Sequence, residues 1–280
     1  MDNTLIVGTR GSRLALAQTA LVVDALRRSG RTISIDVKEI VTQGDRDAKP
    51  MSEIGGQGVF TKAIEDALLR GDIDVAVHSM KDLPPKLTAG LAIAAIPQRG
   101  DPRDALVTRD GRKLAELPEG ARIGTGSARR AVQLRALRPD VEPVDIRGNV
   151  DTRIRKVDGG EYDAAVLAMA GFERLGLVAR VSQVFSINEM VPSPGQGALA
   201  VQVRVGDDVA WDAVEALDHR QTRIAVAYER AFLAQLGEGC SLPVGAHAFV
   251  DGAGQLIAWT MLADDEGQIH RSQDSIEVPV

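Results

Sequence analysis

Apolar positions along this chain change period in a repeating order. Thr4 to Gly8 is short and apolar, the pattern of a strand, and Thr9-Arg10-Gly11-Ser12-Arg13 interrupts it. From Ser12, suited to accept the free N–H groups of a first turn, the run L-A-L-A-Q-T-A-L-V-V-D-A-L-R-R predicts a helix ending at Gly30. Ile33 to Val41 alternates as a second strand, and Phe60 to Arg70 returns to helical spacing before Gly71. Asp74-Val75-Ala76-Val77 then reads as a buried strand. It ends in the polar run His78-Ser79-Met80-Lys81-Asp82 and is stopped by Pro84-Pro85. Strands of this kind deliver side chains to the carboxyl edge of an open α/β sheet, where such folds bind ligands.

The order then starts again. Arg122 to Ser127 predicts strand and turn, Ala128 to Leu137 a helix closed by Pro139. Gly160-Glu161-Tyr162-Asp163-Ala164-Ala165-Val166 lies under Gly71-Asp72-Ile73-Asp74-Val75-Ala76-Val77 with Gly, Asp, Ala and Val in common. Two α/β lobes of similar build follow. In the second copy the tail His-Ser-Met-Lys-Asp has become Leu-Ala-Met-Ala-Gly, so the scaffold is repeated and the reactive group is not. That contrast singles out Asp82. Pro97 to Arg103 and Val191 to Gly197 read as two hinge crossings between the lobes, and the alternating strand Ala198 to Arg204 suits a return to the first. His219 to Leu236 carries the apolar stripe of a long helix, and alternating strands run from there to Val280 as a small α+β unit. The expected domains are 1–98 with 198–217, then 99–197, then 218–280.

Composition narrows the chemistry. A length of 280 residues, 44% hydrophobic and 26% charged, fits a globular protein of two or three domains. No apolar run reaches the roughly 18 residues that span a bilayer, and the N-terminus lacks a secretory pattern. A net charge of −6 and 3% aromatic residues disfavour a nucleic-acid binder. The four histidines have no paired ligand spacing, so no metal site is expected. Glu53 to Gly58 is a glycine-rich loop without the Gly-Lys-Ser/Thr ending of a phosphate loop. A single cysteine, Cys240, fits a reducing cytoplasm. In its glycine-flanked turn it reads equally as a small buried residue or a reachable thiol.

Arginines gather at expected strand ends and helix starts: Arg10, Arg13, Arg129, Arg130, Arg147, Arg153, Arg155. Near helix N-termini such groups suit a polycarboxylate or phosphate ligand. Arg129 and Arg130 are neighbours on one helix, about 100° apart, so at most one need face a cleft; the plainer reading is a solvated face.

Several stretches together resemble the porphobilinogen deaminase family. They are G-T-R-G-S-x-L-A-L-A-Q at Gly8 to Gln18, D-V-A-V-H-S-M-K-D-L-P at Asp74 to Pro84, and R-x-D-P-R-D-A at Arg99 to Ala105. S-A-R-R-x-x-Q-L at Ser127 to Leu134, R-G-N-V-x-T-R at Arg147 to Arg153 and G-E-Y-D-A at Gly160 to Ala164 follow. P-G-Q-G-A at Pro194 to Ala198 and G-C-S-L-P-V-G at Gly239 to Gly245 complete the series, in family order across nearly the whole chain.

The resemblance implies two periplasmic-binding-protein-like α/β lobes plus a small α+β domain. It implies a cytoplasmic monomer that polymerises four porphobilinogen molecules head to tail to hydroxymethylbilane, releasing ammonia. Cys240 would carry a dipyrromethane cofactor through a thioether, and Asp82 would be catalytic. Arg10, Arg129, Arg130, Arg147, Arg153 and Arg174 would hold acetate and propionate groups, supported by Ser12, Ser79, Lys81, Thr125, Ser127 and Gln196. The chain departs from the family pattern at Gln57, where lysine is common, and at Gly126 and Ala128, where serine and leucine are. Relatives usually continue past the position of Val280 through another helix. A non-catalytic two-lobe receptor for a small polycarboxylate is the alternative, but it leaves Asp82 and Cys240 without a role.

Overall fold

The computed structural model describes residues 4–30, 33–42, 61–237 and 243–278. The expected loop at Glu53 to Gly58, with Gln57, and the expected attachment residue Cys240 lie outside the described residues. The chain forms two compact units, 1–99 with 198–223 and 100–197 with 224–280.

In chain order the first lobe opens with β1 (Thr4–Thr9), α1 (Arg13–Arg28), β2 (Ser34–Glu39), α2 (Lys62–Arg70), β3 (Val75–Ser79) and β4 (Leu91–Ala95). The second lobe contains β5 (Asp104–Thr108), β6 (Arg122–Gly124), α3 (Ala128–Leu137), β7 (Glu142–Val144) and α4 (Val150–Asp158). It closes with β8 (Ala164–Ala168), α5 (Met169–Arg174) and β9 (Gln183–Val184). The chain then returns through β10 (Leu199–Arg204), α6 (Asp208–Val214) and α7 (Arg220–Gln235) to β11 (Val244–Val250), β12 (Gln255–Ala263) and β13 (Ile269–Glu277).

Each lobe is built on a five-stranded mixed sheet, and the two strand orders correspond. The first is β2-β1-β3-β10-β4 and the second β7-β6-β8-β5-β9. In both, three strands run parallel and the fourth enters antiparallel. The return strand expected from the alternation after Ala198 is therefore β10, inserted between β3 and β4. β3 is apolar because helices cover both of its faces: Val75 and Val77 pack with Val22 and Leu26 of α1, whereas Ala76 packs with Ile64 and Leu68 of α2. Each buried valine, leucine or isoleucine among them contributes about 1.5–3 kcal/mol.

Two pairs of glycines are fixed by the repeat. Gly71 and Gly160, each at φ 78°, turn the chain from helix to strand in a conformation that a Cβ disfavours. Gly8 and Gly124 sit against isoleucines, and an added Cβ would lie 2.3 Å from Ile73 Cδ1 and 2.8 Å from Ile146 Cδ1.

The C-terminal part is a three-stranded antiparallel sheet, β11-β12-β13, with α7 on one face. Ile224, Ala225 and Tyr228 of the helix meet Ala248, Leu256 and Ala258. Among the described residues no helix is long and apolar enough to cross a membrane.

Candidate active site

The carboxyl edge of the first lobe's sheet carries most of the polar residues singled out there. Ser12 caps α1, its hydroxyl accepting from the N–H of Ala15 at 3.3 Å. The turn before it projects Arg10, and the end of β3 brings Ser79 beside them. A short 3-10 turn, Met80–Asp82, follows with its one buried residue, Met80, as anchor. Arg10, Ser12, Gln18, His78, Ser79 and Asp82 line one recess, open to solvent, with about 420 Å³ of empty space. Leu14, Ala15 and Val77 form part of its wall. Gln18 and Ser79 exchange hydrogen bonds across it at 2.8 and 3.2 Å. Lys81 is exposed and lies outside this lining set.

Asp82 is exposed, yet protein crowds its carboxyl, and that partial loss of hydration raises it above the ordinary carboxylate value. Lys81 and then Arg10 pull it down again. Contact with solvent tempers the rise.

Behind the recess runs a buried polar chain. His78 Nε2 meets Gln202 Oε1 at 3.1 Å, and Gln202 Nε2 donates to Glu65 Oε1 at 3.0 Å. Thr88 donates its hydroxyl to Glu65 Oε2 at 3.0 Å. His78, Gln202 and Glu65 are 4%, 0% and 5% exposed. Burial lowers the His78 imidazole to about 4, against opposing contributions from Glu65 and Gln202.

The second lobe fills the corresponding place with an ion cluster. Asp104, fully buried at the start of β5, accepts from Arg129 Nη1 at 2.8 Å and from Arg130 Nε and Nη2 at 3.0 and 2.7 Å. Gln196 donates to the same carboxylate at 2.9 Å and accepts from Arg130 at 3.3 Å. Burial pushes the Asp104 carboxyl up, but the charges of Arg129 and Arg130, with their hydrogen bonds, hold it well below the usual carboxylate range. Burial lowers the Arg129 guanidinium, opposed by Asp104 and reinforced by Arg130. Both arginines are buried, at 5% and 6% exposure, so the solvated-face reading is corrected. The 100° between their Cα positions did not separate them, because long side chains converge on one carboxylate.

Ser127 caps α3 by accepting from Arg130 N at 3.4 Å, and Thr125 Oγ1 accepts from Ser127 N at 3.2 Å. Arg153 donates to Gly148 O at 2.8 Å, and its guanidinium is lowered by burial and by the charges of Arg130 and Arg147, with Asp145 opposing. Arg147 Nε is 3.6 Å from Asp145 and, like Arg129 Nε, is a buried donor without a hydrogen-bond partner. Four guanidiniums thus share two carboxylates, a donor set with capacity left for an anionic ligand. Arg174 stands apart from them, donating to Gly197 O at 2.6 Å, and burial lowers it to about 10 against the pull of Glu173.

The structure therefore groups Arg10, Ser12, Ser79 and Asp82 in one place, and Thr125, Ser127, Arg129, Arg130, Arg147, Arg153 and Gln196 in another. Sequence reasoning passed over Gln18, Asp104, Gln202 and Glu229. Asp104 and Gln202 had a signal, being polar letters inside the apolar strands D-A-L-V-T and L-A-V-Q-V-R. Gln18 had another, since Gln133 occupies the same place, six residues after the cap, in the repeated helix. Glu229 is fully buried on α7 and accepts from Gly195 N at 2.6 Å and Ala248 N at 2.8 Å, joining the second crossing to β11. Among the described residues no group of three or more histidines, cysteines or carboxylates is placed to hold a metal ion.

Comparison with known proteins bears on this arrangement. The family model described as "Porphobilinogen deaminase, dipyromethane cofactor binding domain" matches residues 5–212, and "Porphobilinogen deaminase, C-terminal domain" matches residues 223–278. A porphobilinogen deaminase of Roseiflexus sp. (strain RS-1) is 48% identical over 97% of this chain and 89% of its own length. One from Thermus thermophilus is 47% identical over 94% and 86%, and one from Sorangium cellulosum 46% identical over 100% and 93%. Among solved structures the chain is similar to the methionine binding protein MetQ, with 13% identity, a TM-score of 0.49 and coverage of 82% and 94%. It is also similar to the Bordetella pertussis BvgS VFT2 domain, with 14% identity, a TM-score of 0.46 and coverage of 82% and 91%.

Proposed function

The chain belongs to the porphobilinogen deaminase family, and we propose that its reaction takes place at the recess of the first lobe. Its function is that of the family, an enzyme of tetrapyrrole biosynthesis with a dipyrromethane cofactor. Family membership decides against the receptor reading. The observation that carries the proposed placement is the meeting of Arg10, Ser12, Ser79 and Asp82 on one recess at the sheet's carboxyl edge.

The chemistry needs two kinds of group. Porphobilinogen carries an acetate and a propionate, both ionised at neutral pH because carboxyl groups titrate near ~4. Arg10 at the recess, and Arg147, Arg153, Arg129, Arg130 and Arg174 in the second lobe, are the cations we assign to such carboxylates on substrate and cofactor. Lys81, Ser12, Ser79, Thr125, Ser127 and Gln196 support them. Arg147, half-buried and held by a 3.6 Å approach to Asp145, fits that role. When bound, through a thioether we assign to Cys240, the cofactor supplies the pyrrole carbon on which the tetrapyrrole is begun.

The second need is a negative charge. As the amino group of the aminomethyl arm leaves as ammonia, its methylene stays on the ring and the substrate becomes a cationic azafulvenium. Asp82, in its ionised form, stabilises that cation and accepts the pyrrole N–H. Four units are joined head to tail in this reading, the free α-carbon of the growing chain bonding to each methylene and then giving up its proton, by a cytoplasmic monomer that needs neither nucleic acid nor membrane.

Intact mass and peptide mapping test it. The active protein should be heavier than its sequence by two pyrrole units, on the peptide containing Cys240. The variant Cys240→Ser should fold without the adduct, since a hydroxyl is a far weaker nucleophile than a thiolate. An adduct on another residue, or none on active enzyme, would remove Cys240 from the mechanism.

A further inference from the structure

We propose that His78 is a second hydrogen-bond acceptor of the first lobe's recess, held as the neutral imidazole whose Nδ1 receives an N–H of the aminomethylpyrrole substrate, with Gln202 and Glu65 as its positioning residues. This rests on the reading that the recess is where the reaction takes place.

The tautomer follows from the hydrogen bonds. Glu65 accepts from Thr88 on one oxygen and from the Gln202 amide nitrogen on the other, at 3.0 Å each. That turns Gln202 Oε1, an acceptor only, toward His78 Nε2 at 3.1 Å. Nε2 therefore carries the ring's hydrogen, and Nδ1 is left with a lone pair in a residue that lines the recess beside Ser79 and Asp82. Burial keeps the ring unprotonated down to about pH 4, so it remains an acceptor across the working range. The ionisable groups about it are Glu65 from α2, and Asp82 and Arg10 at the recess; β10 contributes Gln202, which does not titrate.

The half-repeat shows that the fold does not require this polar chain. Counting from Gly71 and Gly160, Glu65 corresponds to Ile154 and His78 to Leu167. The sheet registers place Gln202 against Ala76 and Val107 against Ala165, so those two correspond as well. Ile154, Leu167 and Val107 lie together in one apolar core of the second lobe. The same scaffold is thus built with three apolar residues where the reactive acid is absent, and with a hydrogen-bonded chain where Asp82 is present.

The test transplants that apolar core. The triple variant Glu65→Ile, His78→Leu, Gln202→Val should melt at or above the parent temperature, because a satisfied buried polar set is replaced by hydrophobic residues the scaffold accepts. Its kcat/KM for porphobilinogen should fall roughly ten- to hundredfold. Single variants separate acceptor from filler: His78→Asn sets Oδ1 near the place of Nδ1 and should keep several-fold more activity than His78→Leu at equal folded fraction. A folded triple variant with parental kcat/KM, or an asparagine variant no better than leucine, overturns the proposal. If the triple variant does not fold, the asparagine–leucine contrast decides alone. Asp82→Asn run in parallel tells the two readings apart. An impaired Asp82→Asn beside a fully active triple variant removes His78 only, whereas a parental Asp82→Asn removes the recess itself and His78 with it.

Discussion

In the first lobe the two residues after the first helical position are Leu14 and Ala15; in the second, the same places after the Ser127 cap hold Arg129 and Arg130. Leu14 and Ala15 leave an open recess beside Ser79. Arg129 and Arg130 turn into the corresponding space and meet Asp104, whose own counterpart across the sheet register is Leu199. The exchange runs the other way one layer down, where Glu65, His78 and Gln202 stand for Ile154, Leu167 and Val107. Two copies of one scaffold have therefore placed their buried polar groups in different layers. One keeps an open recess and the other concentrates positive charge around a carboxylate.

The largest effect should come from breaking the second lobe's cluster. Asp104→Asn leaves two buried guanidiniums without their shared counter-charge and should cost about 3–5 kcal/mol of stability in urea unfolding. Substituting all three by their first-lobe counterparts, Asp104→Leu with Arg129→Leu and Arg130→Ala, should recover a good part of that loss. A change below about 1 kcal/mol for Asp104→Asn would mean the cluster is not holding the lobe together.

Next comes the charge in the recess. Asp82→Asn should lower the rate of ammonia release in a single turnover by about 10²–10³, or ~2.7–4 kcal/mol, with little change in stability. Asp82→Glu keeps the charge one methylene further out and should lose less. Turnover within a few-fold of parent for the asparagine variant would show that the asymmetry at Asp82 and Gly171 is not catalytic.

The smallest effect is a stability limb in mild acid. Above pH 6.5 His78 is neutral whether the chain is folded or not. As pH falls from 6.5 toward about 4, the unfolded chain takes up a proton that the buried ring refuses, so stability declines, and below about 4 the loss levels off. Its full size is at most about 3.5 kcal/mol. Asp104, held below the ordinary carboxylate range, contributes its own loss only at lower pH. Urea midpoints between pH 7 and 4.5 should show a limb that the triple variant lacks. An identical limb in that variant would assign it to other groups.

Local signals were legible in the sequence. The capping Ser12, the α3 span from Ala128 to Leu137, the buried strand before His78 and the return strand after Ala198 were all readable from short-range pattern. The helix α5 was hidden because Gly171 lies inside it and its six residues are too few for a period to show. The polar chain behind the recess was hidden for a different reason. Its hydrogen bonds join residues 124 and 137 positions apart, and only the register of β10 against β3 brings them together. The Asp104 cluster was half visible: its arginines stood out as charges at a helix start, but the acid that buries them looked like one letter of a motif.

The insertion of β10 also sets an order of assembly. Every strand of the second lobe's sheet lies between Asp104 and Val184, an unbroken run of chain. The first lobe's sheet waits for Leu199–Arg204, which must slot between two strands made more than a hundred residues earlier. On a ribosome, the lobe encoded second can complete its sheet while the one encoded first still has a gap beside β3. Gln202 arrives with the missing strand, so the imidazole of His78 gains its hydrogen-bond acceptor only when that gap closes. The recess that carries Asp82 is thus begun among the first residues translated and completed only after the second lobe's sheet.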